Sequence, residues 1–183
     1  MARGKKLLSF SGFLLFFSLF IGGGCGGGSQ NKILDQDLNM QASDFECIKN
    51  GTYIGPYYIT NKLGADNLAE AVKVAKSSKG GTFPPGTIIQ LLPMEAMVKR
   101  INGWNPTTND WEFFSLAITG SVTTIKSRGA EYTKNFANLN CFSCHSKAAP
   151  QWDLVCGSNH GCDPFPATDQ FVLDMQNADP RCP

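Results

Sequence analysis

The sequence lacks an excess of charge of either sign. Its 183 residues include 16 basic and 15 acidic side chains. Three of the basic ones lie within residues 1–24, so 13 basic residues stand against 15 acidic ones in the remainder. This near-neutral balance provides no electrostatic footprint for nucleic acid, and we expect no nucleic-acid partner.

Long apolar runs, internal repeats and heptads are missing from residues 25–183. No stretch of that segment is long and apolar enough to cross a bilayer. Its 159 residues are sufficient for one domain built around a single core.

The first 24 residues have the pattern of an export signal. Arg3, Lys5 and Lys6 precede an apolar run from Leu7 to Ile21, which is too short for a membrane-spanning helix. Three glycines then lead to Cys25, as at a bacterial lipoprotein processing site. We therefore predict a signal peptide at 1–24 and lipidation of Cys25, with cleavage and release as the alternative.

The segment after Cys25 is rich in glycine and polar residues. We interpret residues 25–43 as a flexible tether and residues 44–183 as the folded domain. The predicted location is the periplasm or the cell-surface side, with the chain anchored to a membrane by its lipid.

The domain is predicted to be α+β, with a mainly antiparallel β-sheet and flanking helices. Asn50 and Gly51 predict a hairpin turn, and apolar spacing predicts a helix that starts near Asp66 and ends at Gly80. The further elements predicted are a strand at 87–92, a short helix at 94–101 with a continued strand as the alternative, strands in "WEFFSLAI" and "VTTIK", and a helix in "AEYTKNFANL".

The stretch "CFSCH", residues 141–145, carries the clearest chemical signal. Cys141 and Cys144 are spaced so that both thiols reach one side of a helical turn, where they can bond the two vinyl groups of one haem. His145 then reaches the iron as an axial ligand. C-x-x-C-H is the pattern of c-type haem attachment, and it predicts one covalent haem c.

The other cysteines form an even set once Cys25 is assigned to lipid. Four remain, and an exported chain meets an oxidising compartment. Three pairings are open. Our hypothesis joins the neighbours Cys156 and Cys162, and joins Cys47 to Cys182 across the two ends of the domain.

Zinc is the main alternative to haem. Cys141, Cys144 and Cys156, together with either His160 or Cys162, have tolerable spacing for zinc ligands. A thioredoxin-type redox pair is a weaker alternative, because no βαβ pattern surrounds the motif.

Several segments resemble the cytochrome P-460 family, which includes the related c-prime-beta cytochromes. The shared features are "FPPGTII" at 83–89, the "WEFF" strand, and "CFSCHSKAAPQWDLV", in which Asp153 and Val155 follow the haem motif. The likeness covers roughly residues 65–155. It implies an exported protein, often a homodimer, with an antiparallel sheet and one haem c held by Cys141, Cys144 and His145.

The resemblance also implies a function. The sixth iron position is open in that family, and members bind or redox-convert hydroxylamine, nitric oxide or other small gases, with a redox partner protein. Members that oxidise hydroxylamine carry a lysine cross-linked to the haem. Here the matching place is Leu91, and the next lysine is Lys99.

The alternative function is electron transfer by a six-coordinate haem. Met94, Met97, Met175 and His160 are the candidate sixth ligands, although methionines at such spacing commonly fill a core. Glu95 and Arg100 are weak candidates for catalytic residues that line a distal pocket. The competing interpretation puts them on a solvated helix face with a Glu95–Lys99 pair.

Overall fold

The computed structural model describes Met1 and residues 38–183. Contacts divide the chain into two units, 1–32 and 33–183, and only the second is described below. The predicted signal peptide and Cys25 therefore lie outside the described residues. No helix among the described residues is long and apolar enough to cross a membrane.

The domain is built on one six-stranded antiparallel sheet in which every strand pairs with its neighbour in sequence. Three α-helices accompany it, so the α+β prediction agrees with the architecture. The strands are β1 (Thr52–Ile54), β2 (Tyr57–Asn61), β3 (Thr87–Gln90), β4 (Glu95–Lys99), β5 (Trp111–Thr119) and β6 (Val122–Arg128). The helices are α1 (Ala65–Lys76), α2 (Cys141–His145) and α3 (Asp169–Asn177).

Both faces of the central strands are buried. Successive residues of a strand point to opposite faces, so Met97 and Phe113 belong to one core cluster while Val98 and Phe114 belong to another. The first core cluster contains Tyr57, Ile59, Ala71, Phe83, Ile89, Met97, Trp111, Phe113 and Val155. The second core cluster contains Met40, Phe45, Ile88, Ala96, Val98, Phe114 and Leu116.

Helix α1 begins as predicted but ends at Lys76 instead of Gly80, and it packs on the first core cluster. Ala71 is buried, and Leu68, Val74 and Ala75 are half-buried against that cluster. Leu38 and Met40 are also buried, and Met40 belongs to the second core cluster. These two residues lie in the segment predicted to be a tether, so the part of it from residue 38 onward belongs to the folded body.

Three predicted elements are wrong. The segment 94–101 contains β4, so the helix is wrong and the alternative of a strand is confirmed. A strand buried on both faces shows no alternation, and its apolar spacing can therefore imitate that of a helix. "AEYTKNFANL" is a loop, since the Asn135 side chain accepts hydrogen bonds from the N–H groups of Ala137 and Leu139. The first hairpin turns at Gly55 and Pro56 rather than at Asn50.

Candidate haem site

Helix α2 is a single turn that presents the CFSCH motif. Its first turn is capped by Asn140, whose side-chain oxygen accepts the N–H of Ser143 at 2.8 Å. The same side chain donates to the carbonyl of Ala130 at 2.9 Å. The cap thereby fixes the start of α2 to the loop that follows β6.

The motif lies against the first core cluster. Cys141 and Phe142 pack on that cluster, and the His145 ring centroid lies 5.3 Å from that of Phe113. Cys141 and Cys144 are free thiols and half-buried. The structure thus brings the Cys141 thiol and the His145 imidazole to the side of the sheet that carries the first core cluster, with the Cys144 thiol near that of Cys141.

The hydrogen bond of His145 determines which of its nitrogens can bind a metal. Its Nδ1 lies 2.7 Å from the carbonyl oxygen of Leu154. A carbonyl only accepts, so Nδ1 carries the proton and Nε2 keeps its lone pair. Burial also lowers the pKa of His145, which favours the neutral imidazole.

The Leu154 carbonyl is preceded by a buried anchor at Asp153. Both carboxylate oxygens of Asp153 accept from Lys99 Nζ at 2.8 Å, and one also accepts the N–H of Phe83 at 2.9 Å. The main-chain oxygen of Asp153 accepts from Trp111 Nε1 at 2.7 Å. The sequence showed no sign of this network, because burial and partners 42 to 70 residues away are tertiary features.

The two thiols lie in a setting that disfavours thiolates. Burial, and then the negative charge of Glu95, raise the pKa of Cys141 to about 12. Burial and Asp163 likewise raise the pKa of Cys144. Both shifts favour the thiol over the thiolate, the form that attacks in redox exchange.

The zinc alternative is not assembled in the structure. Cys156 and Cys162 form a disulfide with an S–S distance of 2.01 Å, so neither can bind a metal. Among the described residues, the one cluster of three potential ligands is Cys47, Asp179 and Cys182. Its two cysteines are themselves joined by a disulfide. Both disulfides are those that we hypothesised.

Glu95 and Arg100 lie in different places. The Glu95 carboxylate is close enough to Cys141 to raise its pKa, and it accepts the N–H of Phe136 at 2.7 Å. Arg100 pairs instead with Glu112 at 2.6 Å. Glu112 also pairs with Arg128, whose guanidinium lies over Phe114 in the second core cluster. Of the two candidates, only Glu95 is beside the motif.

The interpretation of Glu95 and Lys99 as a pair on a solvated face is wrong. Lys99 is buried, with 2% of its surface exposed, and it pairs with Asp153. Leu91, where the resemblance would put a lysine, is half-buried and packs on the first core cluster. The Lys99 amine is hydrogen-bonded to the Asp153 carboxylate and to the Asn109 carbonyl.

The candidate sixth ligands have distinct surroundings. Met97 is buried in the first core cluster and lies opposite Phe113 in the β4–β5 ladder. Met94 and Met175 are half-buried. His160 stacks on Trp152 with ring centroids 3.8 Å apart, and its Nδ1 donates to the Val155 carbonyl at 2.7 Å. Met97 is the one found in the cluster that α2 contacts.

Comparison with known proteins gives no relative. No protein-family model, no curated protein and no solved structure matches this chain. The chemistry of the site is therefore inferred from its own residues.

Proposed function

We propose that this chain is an exported mono-haem c-type cytochrome that binds or redox-converts a small nitrogen compound or gas. Cys141 and Cys144 would attach the haem through two thioether bonds, and His145 Nε2 would bind its iron. When bound, the haem supplies a redox-active iron with a position for a small ligand. This proposal agrees with the resemblance to the cytochrome P-460 family, and a homodimer and a redox partner remain predictions from it.

One observation carries the proposal. Of the six described cysteines, four are in disulfides, and the two free ones flank a single helical turn that ends in a histidine. That histidine has its Nδ1 proton bound to a carbonyl and its Nε2 lone pair free. This donor set fits covalent haem better than it fits zinc or a redox dithiol.

The residues around the motif would each contribute to such a site. Phe113 and Phe142, with ring centroids 6.1 Å apart, would form its apolar side. The carbonyl of Leu154 holds the His145 proton on Nδ1. Burial raises the pKa of Glu95, although the Phe136 N–H partly opposes this. Glu95 can therefore hold or release a proton near Cys141.

A pyridine haemochrome assay tests the proposal. The full chain is produced in a host with a haem-attachment system, and we expect one covalent haem per chain. Cys141→Ser/Cys144→Ser should lose it, whereas the control Cys156→Ser/Cys162→Ser should keep it. A wild-type chain without covalent haem would refute the function.

The second candidate function is electron transfer by a six-coordinate haem, and the position of Met97 favours it. Its thioether is buried in the cluster that Cys141 and Phe142 contact. The optical spectrum of the ferrous protein distinguishes the two functions. A shift on addition of carbon monoxide indicates an open position, whereas an unchanged spectrum that becomes responsive in Met97→Leu indicates methionine ligation.

Lipid anchoring has its own test. The wild-type chain is expected in the membrane fraction of a bacterial host, and Cys25→Ser in the soluble periplasmic fraction. Equal distribution of the two would contradict lipidation of Cys25.

A further inference from the structure

We propose that the buried Asp153–Lys99 ion pair positions the axial imidazole of His145 by fixing the carbonyl of Leu154 in place. Asp153 and Lys99 would touch neither the haem nor its ligand, so theirs is a positioning role. The inference rests on the proposed function, and it names what controls the donor strength of that iron ligand.

The Asp153 carboxylate joins the turn after the short 3-10 helix Pro150–Trp152 to the sheet. Lys99, which ends β4, binds both of its oxygens. Trp111, which begins β5, binds its main-chain oxygen. Phe83, ahead of β3, donates its N–H to the carboxylate. These contacts hold Asp153 at both its side chain and its backbone.

The backbone at this turn depends on that anchor. Asp153 and Leu154 are consecutive non-glycine residues with positive φ, 48° and 61°. Such a conformation is unfavourable for a residue with a side chain, and it persists where the surrounding structure imposes it. The turn directs the Leu154 carbonyl to His145 Nδ1, 2.7 Å away.

Lys99 uses its amine for hydrogen bonds within this buried network. Its amine binds the Asn109 carbonyl at 2.6 Å besides Asp153, and it lies 5.2 Å from the Trp111 ring centroid. The side chains of Lys99 and Asp153 are 3% and 6% exposed. Removing one partner of a buried ion pair leaves an uncompensated charge, so an informative variant neutralises both.

The expected consequence follows from hydrogen bonding to a metal-bound imidazole. A partner on the second ring nitrogen fixes the ring and raises the basicity of the ligand, and its loss commonly costs roughly tenfold or more in affinity. A more basic imidazole stabilises ferric iron over ferrous iron. Losing the anchor should therefore raise the midpoint potential, and a tenfold change in that preference corresponds to about 59 mV.

The main variant is Asp153→Asn/Lys99→Met, because asparagine tolerates positive φ and no buried charge is left. The matched control is Glu112→Gln/Arg100→Met, which removes another buried pair, with one partner on β5 and the other directly after β4. Arg128, the second partner of Glu112, is 36% exposed, so its charge stays in contact with solvent. Glu112 is hydrogen-bonded to Arg100 and Arg128 rather than to the Asp153 turn. Asp153→Asn/Lys99→Gln is the second variant, should the first double variant fail to fold, because it also leaves no buried charge.

The measurements are the iron–histidine stretching frequency of the ferrous protein by resonance Raman and the midpoint potential. We expect a lower frequency and a potential raised by about 59 mV in the Asp153 variants, with both quantities unchanged in the control. Wild-type values in the Asp153 variants, or the same shift in the control, would overturn the positioning role.

The failure of this inference can be distinguished from failure of the proposed function. The pyridine haemochrome assay on wild-type protein decides the function. If covalent haem is absent, ¹⁵N NMR of His145 in the same purified chain still decides the inference. Loss of the Nδ1-protonated tautomer in the Asp153 variants alone supports it, and retention of that tautomer overturns it.

Discussion

The two histidines of this chain make the same hydrogen bond but lie in different surroundings. The carbonyls of Leu154 and Val155, adjacent in sequence, each accept the Nδ1 proton of one histidine, at 2.7 Å in both cases. His145 follows the two free thiols on α2. His160 lies flat on the Trp152 ring, within the loop closed by the Cys156–Cys162 disulfide.

Under the proposed function, His145→Ala is expected to keep the covalent haem but to change its coordination, since attachment would use the thiols and ligation would use Nε2. The measurements are the pyridine haemochrome yield and the optical spectrum of the ferrous protein. His160→Ala serves as the control and should leave that spectrum unchanged. An unchanged spectrum in His145→Ala would reject this residue as the iron ligand.

At the scale of elements, the connection between α1 and β3 supports the turn that carries Asp153. The N–H of Gly81 donates to the Gln151 carbonyl at 2.9 Å. Gly80 has a φ of +73°, and a Cβ placed there would lie 2.1 Å from that carbonyl oxygen. The close approach of the two segments therefore requires glycine at this position.

Gly80→Ala should be much more destabilising than Gly103→Ala. Both positions have positive φ, which costs alanine about 1 kcal/mol, but nothing lies within 4 Å of a Cβ at Gly103. We expect a loss of about 1 kcal/mol in Gly103→Ala and of at least about 3 kcal/mol in Gly80→Ala, where overlap adds to the backbone cost. Urea unfolding measures both, and equal losses would contradict the close approach.

Across the whole molecule, the two ends of the domain are joined by covalent and polar bonds. Cys47 and Cys182, 135 residues apart in sequence, form a disulfide. Asp179 accepts the N–H of Ile48 at 3.0 Å, and Arg181 donates to the Phe45 carbonyl at 2.9 Å. These contacts hold the segment before β1 against the C-terminal segment, and its residues Phe45, Cys47 and Ile48 are buried. Asn50 lies in a 3-10 helix there and not in the predicted hairpin turn.

The two disulfides should differ in what they contribute to stability. Closing a long loop restricts the unfolded chain more, so Cys47→Ser/Cys182→Ser is expected to lose about 5 kcal/mol and Cys156→Ser/Cys162→Ser about 2 kcal/mol. Each variant serves as the control of the other in denaturant unfolding. A larger loss in Cys156→Ser/Cys162→Ser would show that restriction of the unfolded chain is not the main origin of the stability that the disulfides provide.

The lowered pKa of Asp179 leads us to expect a loss of stability in acid. Burial by itself would raise the pKa of this carboxyl, but hydrogen bonds from Arg181 and the Ile48 N–H hold it below 3.8. A pKa lower in the folded state gives stability that is present above the unfolded value and is lost as the pH falls through the folded one.

Asp179→Asn should therefore be less stable than wild type near pH 6, and the difference should shrink as the pH falls below 3.8. Asp174→Asn is the control, because Asp174 is exposed and its hydrogen bond is to Gln170 on the same helix. Unfolding free energies measured across this pH range test the prediction. A difference that stays constant with pH would contradict it.

The sequence by itself determined the elements and chemistry that depend on local pattern. Helix α1, strands β3, β5 and β6, and the C-x-x-C-H motif all depend on residues close together in the chain. The α+β class could be predicted because antiparallel strands joined in sequence need little long-range information.

Only the tertiary structure decided what depends on distant partners. It showed that residues Glu95–Lys99 form a strand. The sequence pattern could not decide this, because burial on both faces removes the apolar and polar alternation that reveals a strand. The tertiary structure selected one of three disulfide pairings, since that choice depends on which cysteines meet in space. It also placed the Leu154 carbonyl against His145 Nδ1 and the Asp153–Lys99 pair next to that carbonyl in the chain, where we propose that the pair holds it in position. A carboxylate gains that role from burial and from partners on three separate segments, which no local pattern contains.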